Sequence, residues 1–232
     1  MNPVKLVSIT RPMETSIMQD MSPEELVVFI ARVSNPSNQM NTETSSKLLN
    51  YLIKHKHWSP FEFIDMTVEI VTRRSIAAQI LRHKSFSFQE FSQRYSVSTK
   101  IQPVELRKQG KTNRQSSEEI FTDEKIEKFV NQHLLNSQMM YDMMINSGVS
   151  RETARDILPM ATETTMYMKG SIRSWIHYLE LRCSDDTQKE HRQIANSIKY
   201  HFMNEFPNIS QALGWIDSPE EEKTDGGEKT DE

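Results

Sequence analysis

Cysteine is the scarcest reactive residue in this sequence, because it occurs only once, as Cys183. A single thiol cannot form a disulfide within the chain, so the fold cannot depend on a disulfide framework. This cysteine usage is typical of proteins from a reducing compartment. We therefore expect a cytoplasmic, soluble intracellular protein whose stability comes from packing.

Glycine and long apolar runs are also scarce. The six glycines are scattered along 232 residues, and they form neither a P-loop nor the glycine fingerprint of a Rossmann dinucleotide site. No apolar run has the length of a transmembrane helix, and 4–9 is too short and too polar for a signal peptide. We expect no membrane association, and any bound nucleotide must be held by cations and hydroxyls.

Charge is distributed unevenly around a net value of −4. Residues 217–232 contain eight acids and two lysines, whereas residues 73–114 contain ten lysines and arginines and two acids. A basic centre in a nearly neutral body indicates an anionic ligand bound at one place. We expect the acidic tail, 217–232, to be disordered, which leaves 1–216 as one domain.

Hydrophobic periodicity predicts that the chain contains both strands and helices. Alternating apolar residues predict strands at 4–9 and 64–70, and 162–168 is interpreted as a strand or an extended turn. Capping signals and helical spacing predict helices at 23–33, 43–55, 74–82, 122–146, 150–158, 171–181 and 187–206. Residues 99–117 are interpreted as a long excursion without regular structure.

The stretch 79–96, with the sequence QILRHKSFSFQEFSQRYS, is the strongest candidate for a binding site. It combines the cations Arg82, Lys84 and Arg94 with hydroxyls and three phenylalanines. Cations, hydroxyls and backbone N–H groups are the donors that a phosphate requires, and aromatic rings provide a flat surface for a planar ligand. A solvated basic loop is the open alternative.

Spacing adds two details to this stretch. Gln79 and Arg82 are three residues apart and should share a helical face. Glu90, Ser92 and Arg94 alternate as in an extended segment, so we expect them to project together.

Three other groups of residues have simpler explanations. His55 and His57 have a spacing that permits metal binding, but no second pair of ligands supports it, so no metal is predicted. Arg173 and His177 lie four apart and should share a helix face, and on spacing alone an ordinary polar face is the better explanation. Cys183 lacks the surroundings of a catalytic thiol and is interpreted as a small side chain near a helix end.

Four segments, in order, resemble the flavin-dependent thymidylate synthases. Arg82-His83-Lys84, followed by seven residues and Ser92, resembles the family signature Arg-His-Arg-x7-Ser. The segment 55–62, HKHWSPFE, resembles His-x-His-x-Ser/Thr-Pro-Phe-Glu. The segments 152–159 and 173–182 resemble the family's Glu-x-Ala-Arg…Leu-Pro segment and its Arg-Ser…Arg helix.

This resemblance implies an enzyme that makes dTMP from dUMP. Methylenetetrahydrofolate would give the carbon, and FAD would pass on a hydride supplied by NADPH. The family fold is a single α+β domain in which a small antiparallel or mixed sheet packs with helices, and the enzyme is a homotetramer whose active sites are shared between subunits.

The resemblance also implies a role for each matching residue. The residues expected to hold dUMP are Gln79, Arg82, Glu90, Ser92, Gln93, Arg94, Arg155 and Arg182. Those expected to hold FAD are Ser59, Arg82, His83, Lys84, Glu90, Ser171, Arg173 and His177. Arg155 would come from a neighbouring subunit, and His57 would lie near the flavin and folate pocket.

Two of these residues would act at the reacting centre. Arg182 would lie against the uracil ring and stabilise negative charge on it, which activates C5 without a thiol nucleophile. Ser92 would contact the substrate or its phosphate rather than act as a nucleophile. Lys84 departs from the family, where arginine is usual; it keeps the charge and loses the planar fork.

Two alternatives stay open at this point. A single-stranded nucleic-acid-binding module would use the same cations, with Phe86, Phe88 and Phe91 as stacking surfaces. A flavoprotein of other specificity would keep only the FAD contacts.

Overall fold

The computed structural model describes residues 3–97 and 100–217. The strands are β1 Val4–Ile9, β2 Asp65–Arg73, β3 Ser87–Glu90, β4 Arg107–Gln109, β5 Ser117–Ile120 and β6 Glu163–Ser171. The α-helices are α1 Pro23–Ala31, α2 Ser45–Lys54, α3 Arg74–Ile80, α4 Glu124–Asn146, α5 Arg151–Ala154, α6 Ile172–Arg182, α7 Lys189–Glu205 and α8 Pro207–Ala212. From residue 218 onward, the predicted acidic tail lies outside the described residues.

The main sheet has the strand order β1-β2-β6-β3, and each neighbouring pair is antiparallel. Its centre is the pairing of β2 with β6, which runs from Asp65 opposite Ser171 to Arg73 opposite Glu163. Every second residue of β2 is buried, as a strand with one face on a core requires. The predicted α+β class and the antiparallel sheet are therefore confirmed.

Helices α6 and α7 cover the buried face of this sheet. Trp175 of α6 is fully buried, and its indole N–H donates to the Met66 carbonyl of β2 at 2.9 Å. Ile198 and Phe202 of α7 belong to the same core. Because α7 also contacts α3, the C-terminal end of α3 lies beside the connection between α6 and α7.

The course of the 79–96 stretch differs from the prediction. Residues 87–90 form β3, an edge strand paired with β6, where a loop was expected. Beyond Glu90 the predicted extended course is wrong, because the Ser92 carbonyl accepts the backbone N–H groups of Tyr95 and Ser96. The start of β6 is bonded instead by Lys100, whose carbonyl accepts the Glu163 N–H, and the chain after Phe91 satisfies its backbone in a local turn. Glu90, Ser92 and Arg94 therefore do not form one row.

The segment 99–117, predicted as an irregular excursion, contains β4 and the start of β5, which together form a hairpin. This hairpin is attached to α7, because Arg107 donates to Glu190 at 2.9 Å. The long helix α4 begins at Glu124, two residues after the predicted bound of 122, since the Asp123 side chain caps the N–H groups of Lys125 and Ile126. The helix starts there because the Asp123 carboxylate accepts hydrogen bonds from N–H groups that have no partner within the helix.

The described residues contain neither a candidate membrane-spanning helix nor a cluster of metal ligands. In 3–97 and 100–217, no helix is both long and apolar enough to cross a membrane. The same residues contain no group of three or more His, Cys, Asp or Glu placed to hold a metal ion.

Candidate active site

The loop after α3 is fixed by one buried aromatic side chain. Phe86 packs edge-on against Trp175, with ring centroids 4.7 Å apart, and against Tyr178 at 5.6 Å. Gly170 of β6 makes room for this ring, because a Cβ built there would lie 2.5 Å from the Phe86 ring. The close approach anchors the loop on α6 and so positions His83 against the end of that helix.

His83 and Arg182 form the polar centre of this region. The Arg182 Nε–H donates to His83 Nε2 at 3.0 Å, so Nε2 is an acceptor and the ring proton lies on Nδ1. Burial, followed by the positive charges of Arg182 and Arg82, lowers the pKa of His83 to about 4. His83 is therefore neutral near pH 7, and the terminal nitrogens of Arg182 remain available to a ligand.

Gln79 lies next to this pair at the end of α3. Its Nε2 donates to Gln188 Oε1 at 2.7 Å, and its Oε1 lies 3.4 Å from Nδ1 of the buried His191. Arg82 and Lys84 are exposed beside it. Neither side chain forms a hydrogen bond or ion pair within the described residues, so both cations are available to an anion.

Glu90 is already engaged by the protein. Its Oε1 accepts from Arg74 at 3.1 Å and from the Thr164 hydroxyl at 2.9 Å. The second carboxylate oxygen has no hydrogen bond among the described residues. The sheet thus holds Glu90 by one oxygen and leaves the other to accept a hydroxyl or N–H.

Gln93 is buried behind the turn that contains Ser92. It is 6% exposed, and its amide Nε2 is buried without a hydrogen-bond partner among the described residues. Together with Arg74 and Arg155 it lines a cavity of about 250 Å³. A buried amide without a partner is costly, so this cavity suits a ligand that offers an acceptor.

Arg94 lies on the exposed side of the same turn. It pairs with Glu152 at 3.3 Å, and both side chains are largely exposed, so this ion pair can exchange for a ligand at little cost. The Ser92 hydroxyl forms no hydrogen bond with the described residues and has no general base beside it. The structure therefore gives Ser92 no activation as a nucleophile.

A second group of candidate residues surrounds the N-terminus of α6. Glu62, at the end of the 3-10 turn Ser59–Glu62, accepts from the Ser171 hydroxyl at 2.6 Å and from Arg173 at 2.8 Å. His177 lies four residues after Arg173 on α6, and its ring packs edge-on against Trp58 with centroids 5.1 Å apart. Arg173 and His177 thus share a face, as their spacing predicted, and that face meets the turn that carries Ser59.

His57 lies apart from the polar centre in an exposed aromatic group. Its ring centroid is 5.8 Å from that of Tyr51 and 6.1 Å from that of His55. Lys56, between the two histidines, has a φ of 57°, which turns the chain sharply. The structure does not bring His57 into contact with His83 or Arg182.

Several residues of the site gave no signal in the sequence. Glu62 belongs to the matching segment 55–62, but the resemblance implied no role for it, although it joins the turn that carries Ser59 to α6. Arg74, Tyr178 and His191 escaped notice because each acts through contacts between distant parts of the chain. Helical spacing begins at Arg74 and could have placed it directly after β2. No pattern in the sequence pairs Arg74 with Glu90.

The geometry also decides against the nucleic-acid alternative. Phe86 is 8% exposed and belongs to the hydrophobic core. Phe88 follows it on the same side of β3, whereas Phe91 is the exposed member of the three. A stacking platform requires rings that are open to bases, and Phe86 cannot provide one.

Solved structures with this fold include a nucleotide-modifying enzyme. The fold is similar to that of a UMP/dUMP methylase, PolB from Streptomyces cacaoi, solved with 5-Br dUMP and with 5-Br UMP. The TM-scores are 0.74 and 0.72 at 24% identity, and the first superposition covers 92% of this chain and 94% of that one. This likeness establishes the class, an α+β domain of the same architecture.

Sequence relatives give the family. Residues 16–208 match the family described as thymidylate synthase complementing protein. A probable flavin-dependent thymidylate synthase of Paramecium bursaria Chlorella virus 1 is 49% identical, and a flavin-dependent thymidylate synthase of Synechocystis sp. is 48% identical. Both alignments span 216 residues, 91% of this chain and 99% of the relative. The chain belongs to the flavin-dependent thymidylate synthase family.

Proposed function

We propose that this protein makes dTMP from dUMP, with methylenetetrahydrofolate as the carbon donor and FAD carrying a hydride from NADPH. The observation that supports this most is the hydrogen bond from Arg182 to His83, with Gln79 nearby at the end of α3. It joins the two segments most characteristic of the family at one polar centre, with unpaired cations beside it. A cytoplasmic location belongs to the same proposal and rests on the single cysteine.

The residues around α6 fit the diphosphate of FAD. Arg82 and Lys84 have no hydrogen-bond or ion-pair partner among the described residues, and Ser59 adds a hydroxyl in the turn that Glu62 joins to the N-terminus of the eleven-residue helix α6. Such a donor set suits a dianionic group. The residues that would hold FAD are Ser59, Arg82, His83, Lys84, Glu90, Ser171, Arg173 and His177. Bound FAD would supply the hydride that completes the methyl group.

Arg173 would change partner when FAD binds. Its guanidinium is held by Glu62 at 2.8 Å, and both side chains are 43% exposed. An exposed ion pair of this kind contributes little stability, so a phosphate can replace the carboxylate readily. Glu62 keeps its contact with Ser171 and thereby holds the turn in place.

Arg182 would bind the pyrimidine ring of dUMP. Its Nε–H is fixed on the neutral His83, so the two terminal nitrogens point away from that contact. A guanidinium held in this way stabilises negative charge that develops on the ring. The ring could then attack the methylene carbon from C5 without a covalent bond to the enzyme, while one bond from that carbon to a folate nitrogen breaks and C5 afterwards loses its proton.

The turn after β3 would hold the sugar and phosphate of dUMP. Among the residues that the structure describes, Gln93 Nε2 and one Glu90 oxygen have no hydrogen-bond partner, while Ser92 and Arg94 lie on the exposed side. We place Arg155 with the phosphate group of a neighbouring subunit's substrate. His57 remains a proposal for the folate side, supported only by its place in the matching segment.

We propose a homotetramer that shares these sites between subunits. The support comes from α4, a helix of 23 residues whose exposed side chains include Ile126, Phe129, Leu135, Met139, Met140 and Met143. A helix so apolar on its exposed side normally has a partner. Arg155 follows α4 closely in the chain, so association through this helix would carry it towards another subunit.

A flavin and product assay tests the proposal. Purified protein mixed with FAD should retain a yellow chromophore that NADPH bleaches, and it should form dTMP, identified by mass, when dUMP and methylenetetrahydrofolate are added. Omission of either co-substrate should stop product formation. Protein that takes up no flavin would refute the proposal, and flavin uptake without dTMP would indicate a flavoprotein of other specificity.

A further inference from the structure

Beneath the polar centre lies a buried pair of side chains without a role in the proposed reaction. Tyr178 of α6 is 2% exposed and His191 of α7 is fully buried. The Tyr178 hydroxyl lies 3.0 Å from His191 Nε2, and His191 Nδ1 lies 3.4 Å from Gln79 Oε1. The chain of contacts therefore leads from the core to a residue that we place on dUMP.

The protons in this chain can be assigned. Burial raises the pKa of Tyr178, so the phenol keeps its proton. The Tyr178 hydroxyl has no other hydrogen-bond partner among the described residues, so it donates to His191 Nε2. Burial, and then the charge of Arg182, lowers the pKa of His191 to about 3, so its ring is neutral and has one N–H. Since Nε2 accepts, that N–H is on Nδ1 and donates to Gln79 Oε1.

This assignment fixes the orientation of the Gln79 amide. Its oxygen faces His191, and its nitrogen donates one hydrogen to Gln188 at 2.7 Å. If the amide flipped, its NH2 group would face the His191 N–H, and a buried donor would lose its acceptor. The second hydrogen on Gln79 Nε2 has no acceptor among the described residues.

We infer that Tyr178 and His191 are positioning residues, which hold the Gln79 amide so that it meets dUMP with an N–H and not with its oxygen. The inference rests on the proposed function, because Gln79 is placed on dUMP there. Neither Tyr178 nor His191 touches the nucleotide itself. Their effect should appear in the binding of dUMP rather than in the chemical step.

Two substitutions of His191 separate the effect of its N–H donor from the effect of its ring volume. His191→Asn places an amide nitrogen near the former Nδ1 and keeps a donor to Gln79, whereas His191→Leu fills similar space without one. We expect His191→Leu to weaken dUMP binding about 10-fold, the equivalent of about one hydrogen bond, and His191→Asn to stay within about 3-fold of the unsubstituted protein. In both variants KM for dUMP should follow the Kd, and kcat should stay within about 2-fold.

The measurement is calorimetric titration of the FAD-loaded protein with dUMP, together with steady-state kinetics. Equal dUMP affinity in His191→Leu and the unsubstituted protein would overturn the inference, and so would equal weakening in His191→Leu and His191→Asn. If the unsubstituted protein itself binds no dUMP, the proposed function fails instead.

A third variant serves if His191→Leu does not fold. Tyr178→Phe removes only the hydroxyl and lets His191 adopt either tautomer. A folded, FAD-loaded Tyr178→Phe protein should bind dUMP a few-fold more weakly. Unchanged affinity in that protein would overturn the inference.

Discussion

At the scale of single residues, the site depends on a neutral histidine beside a fixed arginine. His83 can accept the Arg182 Nε–H only while it is unprotonated, and its pKa of about 4 keeps it so near neutral pH. The contact costs Arg182 one of its five N–H donors and orients the others. The role proposed for Arg182 therefore depends on its planar fork as well as on its charge.

Substitution of Arg182 tests that role. We expect Arg182→Ala to reduce kcat by at least about 100-fold, as loss of a charge-stabilising donor does, while flavin content and subunit association persist. Arg182→Lys keeps the charge without the fork, so we expect it to recover only part of the activity. Steady-state kinetics and flavin absorbance are the measurements, and near-normal turnover in Arg182→Ala would contradict the role.

The lysine of the signature segment is a second residue to test. Lys84→Arg should bind FAD as tightly or more tightly, because arginine offers a bidentate fork to a phosphate and Lys84 has no partner among the described residues to lose. The measurement is flavin fluorescence on titration with FAD. Clearly weaker binding would identify Lys84 as a specific adaptation of this chain.

At the scale of elements, the β4–β5 hairpin is tied to the site through α7. Arg107 of β4 and Arg73 of β2 both donate to Glu190, and all three side chains are at most 16% exposed. Glu190 accepts also from Gln188, which holds Gln79. The hairpin thus supports the segment that positions Gln79, so it has a structural role in this subunit.

The pH dependence of stability tests this ion-pair group. Burial alone would raise the pKa of Glu190, but hydrogen bonds from Arg107 and Gln188 outweigh it and lower the pKa to about 2 from 4.5. Because the pKa of Glu190 is lower in the folded than in the unfolded protein, ionised Glu190 stabilises the fold at a pH above its unfolded pKa. This contribution is lost as the pH falls from about 5 towards 2. Between pH 7 and pH 3 the free energy of unfolding should therefore fall by up to about 2 kcal/mol more in the unsubstituted protein than in Glu190→Gln.

Urea unfolding between pH 7 and pH 3 measures this difference. Glu105→Gln is the matched control, because Glu105 also accepts from Arg107 but is exposed, so its removal should alter the pH slope much less. Parallel pH profiles for the unsubstituted protein and Glu190→Gln would show that Glu190 does not make this contribution.

Sequence patterns predicted the elements better than the contacts between them. Alternation in 64–70 and the capping box at Ser22 and Glu25 act locally, so β2 and α1 were predicted correctly. The turn at Ser92 was missed because it forms where β6 stops pairing with β3, a fact about another strand. Contacts such as that between Gln79 and His191 depend on packing between helices, which no local pattern encodes.

At the scale of the whole molecule, the apolar surface of α4 requires explanation. Tyr141 is the one residue of α4 that is buried in the described chain. Met139 and Met143 lie four apart on one face and are 61% and 60% exposed. Burial of such a surface between subunits would remove it from water and stabilise the assembly.

Charged residues on this face should prevent assembly. We expect the double variant Met139→Glu and Met143→Glu to have a lower mass by light scattering and to lose most turnover, because shared sites cannot form. Ile17→Glu is the control, since Ile17 is 79% exposed and lies outside α4, and it should leave the mass unchanged. An unaltered mass in the double variant would place the subunit interface elsewhere.

The chemistry proposed for the assembled protein excludes a thiol nucleophile. Cys183, next to Arg182, is packed partly against the core, and burial raises the pKa of its thiol, which disfavours the reactive thiolate. The most direct measurement is tritium release from 5-tritiated dUMP by the Cys183→Ala protein, with FAD, NADPH and methylenetetrahydrofolate present. The account predicts release at a rate within about 3-fold of the unsubstituted protein, since a variant that loses no catalytic group changes little. The proposed chemistry would be contradicted if the unsubstituted protein released tritium and a folded, flavin-loaded Cys183→Ala protein did not.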